Sequence, residues 1–334
     1  MKTILKLITG IAVALSLAAC SQNQNHLTGA GSSFIYPALS IWAKDYDAKT
    51  SVEVNYQAIG SGGGLQQIYS HTIDFAASDM PLTVEQLAQN KLHQFPMIVG
   101  GIVMAINVPG IKSNAITLSG NTLEDIYMGR IKFWDDTAIA RLNVGVKLPH
   151  KGIVTIHRAD GSGTTFNFTN YLSKISSQWQ EHIGANTTVA WPGNGIGAKG
   201  NAGVAAQIMQ TPYSIGYVEY AYANQNNMSI TKMVNRDHKV VTATSATFAA
   251  AAKNADWQAK NGFYQILTDQ PGADSWPIVA TTFVLTPEKA RTPQVKAQIA
   301  KFFTWCFKHG TASAEKLDYV AIPDAVYGKI LKTF

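Results

Sequence analysis

An α/β fold with helices packed on sheet faces is what the sequence predicts, and three observations predict it. Strand-like and helix-like periods alternate from Leu27 onward. The 334 residues are 46% apolar and only 14% charged, enough to bury one large core or two smaller ones and far from the composition of a disordered chain. No repeat with a period of roughly 20 to 50 residues is visible, which excludes a solenoid.

The chain opens on "MKTILKLITGIAVALSLAAC", where Lys2 and Lys6 precede an apolar run from Ile8 to Ala19 that is too short to span a bilayer. That pattern is an export signal. Its end, "LAAC", resembles the lipobox of bacterial lipoproteins, which makes residues 1–20 a lipoprotein signal peptide and Cys20 the lipidated N-terminus. Ordinary cleavage nearby, with Cys20 lost or idle, is the alternative. Residues 21–26, "SQNQNH", are polar and aperiodic, suited to a short tether between a lipid anchor and a folded body.

In "IYPALSIWAKDY" the residues Ile35, Ala38, Leu39, Trp42 and Tyr46 fall at helical spacing, with Pro37 tolerated only near a helix start. In "VEVNYQA" Val52, Val54, Tyr56 and Ala58 share one face of a strand. "GIVTIHR" reads as a strand, and "TTFNFTNYLSKI" as a helix carried by Phe168, Tyr171, Leu172 and Ile175. The apolar runs Pro96 to Gly110 and Ser275 to Pro287 are long enough for strands that pass between two lobes. "WPGNGIGAKGNAG" matches G-x-G-x-x-G at Gly195, Gly197 and Gly200, but without a preceding hydrophobic strand or a following acid it reads as a loop rather than a dinucleotide site. Cys306, in the aromatic helix "KFFTWCFKHG", reads as a buried small hydrophobe; with Cys20 acylated it has no intramolecular partner, and the exported fold does without a disulfide.

Loss of Lys2 and Lys6 with the signal takes the formal net charge from +6 to +4. The excess is mild and contains no basic run, so nucleic acid is not an expected partner, whereas a small anion is compatible. No cofactor is called for.

Three glycine and hydroxyl turns each precede a helix: "TGAGSSF" (Thr28 to Phe34), "IGSGGG" (Ile59 to Gly64) and "DGSGTTF" (Asp160 to Phe166). Each offers free backbone N–H groups, the positive end of a helix dipole and hydroxyl donors, which is what an oxyanion needs. Each taken singly is also an ordinary helix cap. The third carries Arg158, whose guanidinium suits a tetrahedral oxyanion, with Asp160 two positions on and able to orient it. Asp79 in "TIDFAASDMPLT" places an acid beside these donors. It suits an anion that carries a proton, because a carboxylate accepts from a phosphate P–OH and meets only lone pairs on sulfate. The alternative for Asp79 is a helix N-cap, a role Thr83 fits at least as well.

These segments, with "FPMIVGGIVMAINVPG", "IYMGRIKFWDD", "IGYVEYAYA", "SWPI" and "LDYVAIPD", resemble the periplasmic phosphate-binding proteins of bacterial high-affinity phosphate ABC transporters over nearly all of the chain beyond the signal. The resemblance implies a type II periplasmic-binding-protein-like fold: lobe I of residues 27–104 and 279–334, lobe II of residues 105–278, and hinge strands with a ligand cleft between. It implies phosphate contacts from Ser33, Phe34 through its backbone N–H, Ser61, Asp79, Arg158, Ser162, Gly163 and Thr164, with Asp160 orienting Arg158. The family commonly has Thr where Ser33 stands and Ser where Gly62 stands. The implied partners are inorganic phosphate and transmembrane permease subunits, with membrane contact through Cys20, an exported location in the periplasm or at the envelope surface, and a monomeric state.

Two other readings compete: a surface-anchored scaffold or adhesion lipoprotein, and a hydrolase of phosphate esters. The second has little support from the sequence, since the eight histidines form no H-x-x-x-H pair and "DGSGT" is not G-x-S-x-G.

Overall fold

The computed structural model describes residues 26–331. The signal, Cys20 and residues 21–25 of the tether lie outside them. In chain order come β1 (His26–Gly31), α1 (Tyr36–Thr50), β2 (Glu53–Gln57), α2 (Ser61–Tyr69), β3 (Phe75–Ser78), α3 (Val84–Asn90) and the long β4 (Leu92–Asn107). There follow β5 (Thr117–Leu118), α4 (Gly120–Tyr127), α5 (Thr137–Leu142), β6 (Val154–Arg158), α6 (Gly163–Ile175), α7 (Ser177–His182), β7 (Ile196–Ala198) and α8 (Gly200–Gln210). After these lie β8 (Ser214–Glu219), α9 (Tyr220–Gln225), β9 (Ser229–Ile230), β10 (Lys232–Val234), β11 (Val240–Val241) and α10 (Ser245–Ala252). The chain closes with β12 (Val279–Pro287), α11 (Pro293–His309), α12 (Thr311–Glu315), β13 (Val320–Ala321) and α13 (Asp324–Ile330).

The main strands run in the order β2-β1-β3-β12-β4-β8-β6-β7. β1 is parallel to β2 and β3, whereas β12 is antiparallel to β3 and β4. Beyond β4, the strand β8 is antiparallel to it, and β6 is parallel to both β8 and β7. β4 changes partner midway: Leu92 to Gly101 pair with β12 and Ile102 to Asn107 with β8. It begins four residues before the expected Pro96. Pro96 has no N–H to give the ladder, and the register with β12 shifts beside it, so the strand bends through a bulge instead of starting there.

The elements form for local reasons. α1 carries Pro37 in its first turn, buries Ala38, Leu39, Trp42 and Tyr46 at helical spacing, and stops at Ser51, whose φ of 55° leaves the helical region. α11 starts on a Thr292 cap that accepts from the Val295 N–H at 3.2 Å, and buries Val295, Ile299, Phe302, Phe303 and Cys306 on one side. Cys306 is the buried apolar residue that the sequence predicts. Each side of β4 has its own aromatic cluster. Phe75 meets Phe303 edge-on at 5.1 Å in the first, and Phe168 stacks on Tyr217 at 4.4 Å in the second.

One expectation is corrected. The segment around Gly195 to Gly200 is not only a loop: Ile196–Ala198 form β7, parallel to β6, and α8 starts at Gly200. Pairing with β6 supplies the backbone bonds that so short a strand cannot advertise through periodicity. Among the described residues, no helix is long and apolar enough to cross a membrane.

Candidate functional site

The strand-to-helix turns at the carboxyl ends of β1, β3, β6 and β7 converge with the start of α2 on one place. In an open α/β sheet that is where ligands bind. Ser33, Phe34, Ser61, Asp79, Arg158, Ser162 and Thr164 are all buried there, Phe34, Ser61 and Ser162 completely. Close approach of the two sides depends on Gly60, which has φ +90° and a position where a Cβ would strike the Asp160 carboxylate. From there the backbones touch, the Gly62 N–H donating to the Gly161 carbonyl at 2.9 Å. A Cβ at Gly62 would stand 3.1 Å from the Gly161 Cα, so glycine suits that contact.

On the β6 side, Arg158 donates from Nε to Asp160 Oδ1 at 2.7 Å and from Nη2 to Oδ2 at 2.5 Å. Asp160 also accepts from the Gly200 N–H at 3.0 Å. Burial pushes the Asp160 carboxyl up, but the hydrogen bonds and charge of Arg158, with the Gly200 N–H, outweigh it and leave it below the usual range. The pair therefore stays ionised. It occupies one edge of the guanidinium, and Nη1 turns toward Thr164 Oγ1 at 3.3 Å. Tyr217 fixes the strand end, its hydroxyl accepting from the Arg158 N–H at 3.1 Å.

α6 starts on Ser162, whose Oγ accepts from the Thr165 N–H at 3.0 Å, while the Phe166 N–H bonds the Ser162 carbonyl at 3.0 Å. The first-turn N–H groups of Gly163 and Thr164 have no acceptor within the helix, as at any helix start. Ser33 Oγ accepts from both the backbone N–H and the side-chain amide of Asn201 at 3.0 Å each. Thr164 Oγ1 accepts from Arg158 and, at 3.2 Å, from the Asn201 amide. Three hydroxyls thus accept from protein groups, and each retains its own proton to donate.

Asp79 faces them. Its two oxygens each lie 2.7 Å from Ser32 Oγ, and Oδ1 accepts from Thr282 Oγ1 at 2.7 Å. Its own N–H donates to Ser61 Oγ at 3.2 Å, and its carbonyl accepts from the Asn167 amide at 2.7 Å. Burial raises the Asp79 carboxyl to about 6, against the hydroxyl bonds of Ser32 and Thr282 and the charge of Arg158. Asp79 is not the cap of α3: Thr83 accepts from the Gln86 N–H at 3.3 Å in a capping box.

The structure thus brings together every predicted site residue among those described. One is placed differently from expectation. The Phe34 N–H is not a free donor here, because Ser32 Oγ, two residues back in the same turn, accepts it at 2.9 Å. Ser32, Thr282 and Asn201 were missed by sequence reasoning. Ser32 stands beside Ser33 in the quoted turn, whereas Asn201, inside the glycine-rich segment, and Thr282 carry no local signal of the contacts they make.

The geometry has counterparts. A PBP superfamily domain matches residues 18–309. The phosphate-binding protein PstS of Pasteurella multocida is 48% identical over 320 residues, 96% of this chain and 93% of that protein. The namesake from Haemophilus influenzae is 47% identical over 306 residues, covering 92% of this chain and 91% of that one. The chain belongs to this family of phosphate-binding proteins. Its fold is shared with a high-affinity periplasmic phosphate-binding protein solved with phosphate bound, at a TM-score of 0.76 and 19% identity over 92% of this chain and 94% of that one. The phosphate-binding protein of Stenotrophomonas maltophilia has the same fold, at a TM-score of 0.70 and 17% identity over 92% and 93% of the two chains.

Proposed function

We infer that the protein binds inorganic phosphate and delivers it to the permease subunits of an ABC transporter. The observation that carries the reading is the polarity of the site. Ser33, Ser162 and Thr164 accept from protein N–H groups and keep their hydroxyl protons, opposite a buried carboxylate that only accepts when ionised. Such a set fits a tetrahedral anion that needs many donors and brings one proton of its own. Asp79 takes the P–OH proton, Arg158 and the start of α6 take the charged oxygens, and Ser33 and Ser61 complete the shell. Phe34 joins it when its N–H leaves Ser32 Oγ. The site binds without chemistry, in keeping with relatives that are named as binding proteins.

On this reading the ligand lies between lobe I, residues 27–104 and 279–334, and lobe II, residues 105–278. β4 and β12 act as the hinge strands, and closure brings Ser33 against Asn201. Export follows from the leader, and acylation of Cys20 would hold the receptor at a membrane surface.

The test is a calorimetric titration of residues 21–334, stripped of ligand by unfolding and refolding, with phosphate, arsenate and sulfate. Phosphate binds tightly at one site, arsenate nearly as well, and sulfate not at all. Binding of sulfate overturns the role of Asp79; silence toward all three overturns the function.

A further inference from the structure

Glu219, the last residue of β8, is buried in full where β4 changes partner from β12 to β8, and it pairs there with Ile102 of β4. Its backbone N–H donates to Asn201 Oδ1 at 3.0 Å, and its Oε1 accepts from the Ala221 N–H at 3.0 Å. Oε2 lies 3.0 Å from the Tyr319 hydroxyl. That same hydroxyl lies 2.6 Å from the carbonyl oxygen of Phe34, in the turn that holds Ser33.

Counting protons decides the state of this relay. A tyrosine hydroxyl has one proton, yet it stands within bonding distance of two oxygens that, with Glu219 ionised, both only accept. Two oxygens 2.6 Å apart are bonded, and a carbonyl cannot donate, so the Tyr319 proton points at Phe34. The 3.0 Å contact with Oε2 is then a bond only if the proton lies on Glu219. We propose that Glu219 is a neutral carboxylic acid that donates to Tyr319 and, through it, positions the phosphate-binding turn across the hinge.

The surroundings agree. The ionisable groups facing Glu219 are Tyr220 and Tyr222 of α9, Tyr319 of the C-terminal segment and Asp79 at the end of β3. Among the described residues no ion pair reaches it. Burial pushes its carboxyl well above the usual range and the charge of Asp79 adds to this, against the N–H groups of Ala221 and Tyr222. The consequence for binding, which rests on the phosphate reading, is electrostatic. An ionised Glu219 would add a negative charge beside Asp79 in a dry site about to receive an anion, and would break the relay to Phe34. Glu219 acts through Tyr319 and is a positioning residue.

Two substitutions and one spectrum test this. Glu219→Gln reproduces the neutral acid, with an amide N–H in place of the carboxyl O–H; Glu219→Ala removes it. The infrared carbonyl stretch of a protonated carboxylic acid, with its downshift in D2O, is present near neutral pH in the wild type and lost in Glu219→Gln. Glu219→Gln keeps phosphate affinity within about twofold and sheds the weakening that the wild type shows when alkaline pH ionises Glu219, whereas Glu219→Ala binds at least about tenfold more weakly. No band lost on Glu219→Gln, or an affinity as poor as that of Glu219→Ala, overturns the proposal. If the wild type ignores phosphate, the functional reading has failed, and the infrared comparison still decides where the proton lies.

Discussion

Two aspartates sit on opposite walls of one cleft, each carboxylate with three hydrogen-bonding contacts from two residues, and their acidities move in opposite directions. Asp160 is held below the usual range although burial pushes it up, while Asp79 rises to about 6. The number of hydrogen bonds does not separate them; the charge of the donor does. Asp160 faces a guanidinium at 2.7 and 2.5 Å, which compensates a carboxylate even when both are buried. Asp79 has the hydroxyls of Ser32 and Thr282, which are neutral and leave part of the desolvation uncompensated. One wall therefore presents fixed donors, and the other an acceptor close to its own protonation point.

The largest break in this comparison is Arg158→Ala. It removes charge and donors from the first wall and leaves Asp160, with a side chain only 10% exposed, without its cation. Phosphate affinity falls by two to three orders of magnitude, about 3–4 kcal/mol, and the ligand-free protein unfolds at lower temperature. Arg158→Lys restores the charge without the planar fork that Asp160 grips, and recovers only part of the loss. Calorimetry reads both; an Arg158→Ala affinity within tenfold of wild type removes the arginine from the site.

Asp79→Asn tests the other wall with a smaller effect. A carboxyl whose folded pKa is raised above an unfolded value near 3.9 binds its proton more tightly in the folded state. Its contribution is present below the unfolded value and lost as pH rises through about 6. Ligand-free wild type should thus lose up to about 2–3 kcal/mol between acid and neutral pH that Asp79→Asn keeps. Thermal melts of both proteins across that window measure the difference, and parallel curves would place the acid's proton elsewhere. The same substitution swaps one acceptor for an N–H donor, so sulfate should begin to bind.

How much of this was legible in the sequence follows the same division. The donor wall was readable because its chemistry is local: Arg158, Asp160 and the Ser162 to Thr164 turn lie within seven residues, and strand-end spacing alone brings the arginine to its partner. α1 and α6 were readable because a helix repeats its apolar positions within its own length. The acceptor wall is assembled from afar. Thr282 reaches Asp79 across 203 residues, and Asn201 reaches Ser33 across 168. Neither partner carries a local pattern, since the register of β12 on β3 and the packing of α8 create those contacts. Glu219 was visible as an acid inside the apolar run "IGYVEYAYA", but nothing in that run says which hydroxyl it meets.

Ser32 makes the smallest and sharpest test, because its hydroxyl occupies two groups that the phosphate reading assigns to the ligand. It accepts from the Phe34 N–H and donates to Asp79. In ligand-free Ser32→Ala both groups are buried without that partner, a loss of about 1–3 kcal/mol. In the bound state phosphate supplies an oxygen for the N–H and a P–OH for the carboxylate, so the loss disappears. The variant should therefore melt lower than wild type without phosphate and nearly with it at saturation, widening the ligand-induced rise in Tm by roughly 2–4 °C. An unchanged rise would mean that the Phe34 N–H never turns to the ligand, and that the turn at Ser32 serves the fold of the first wall alone.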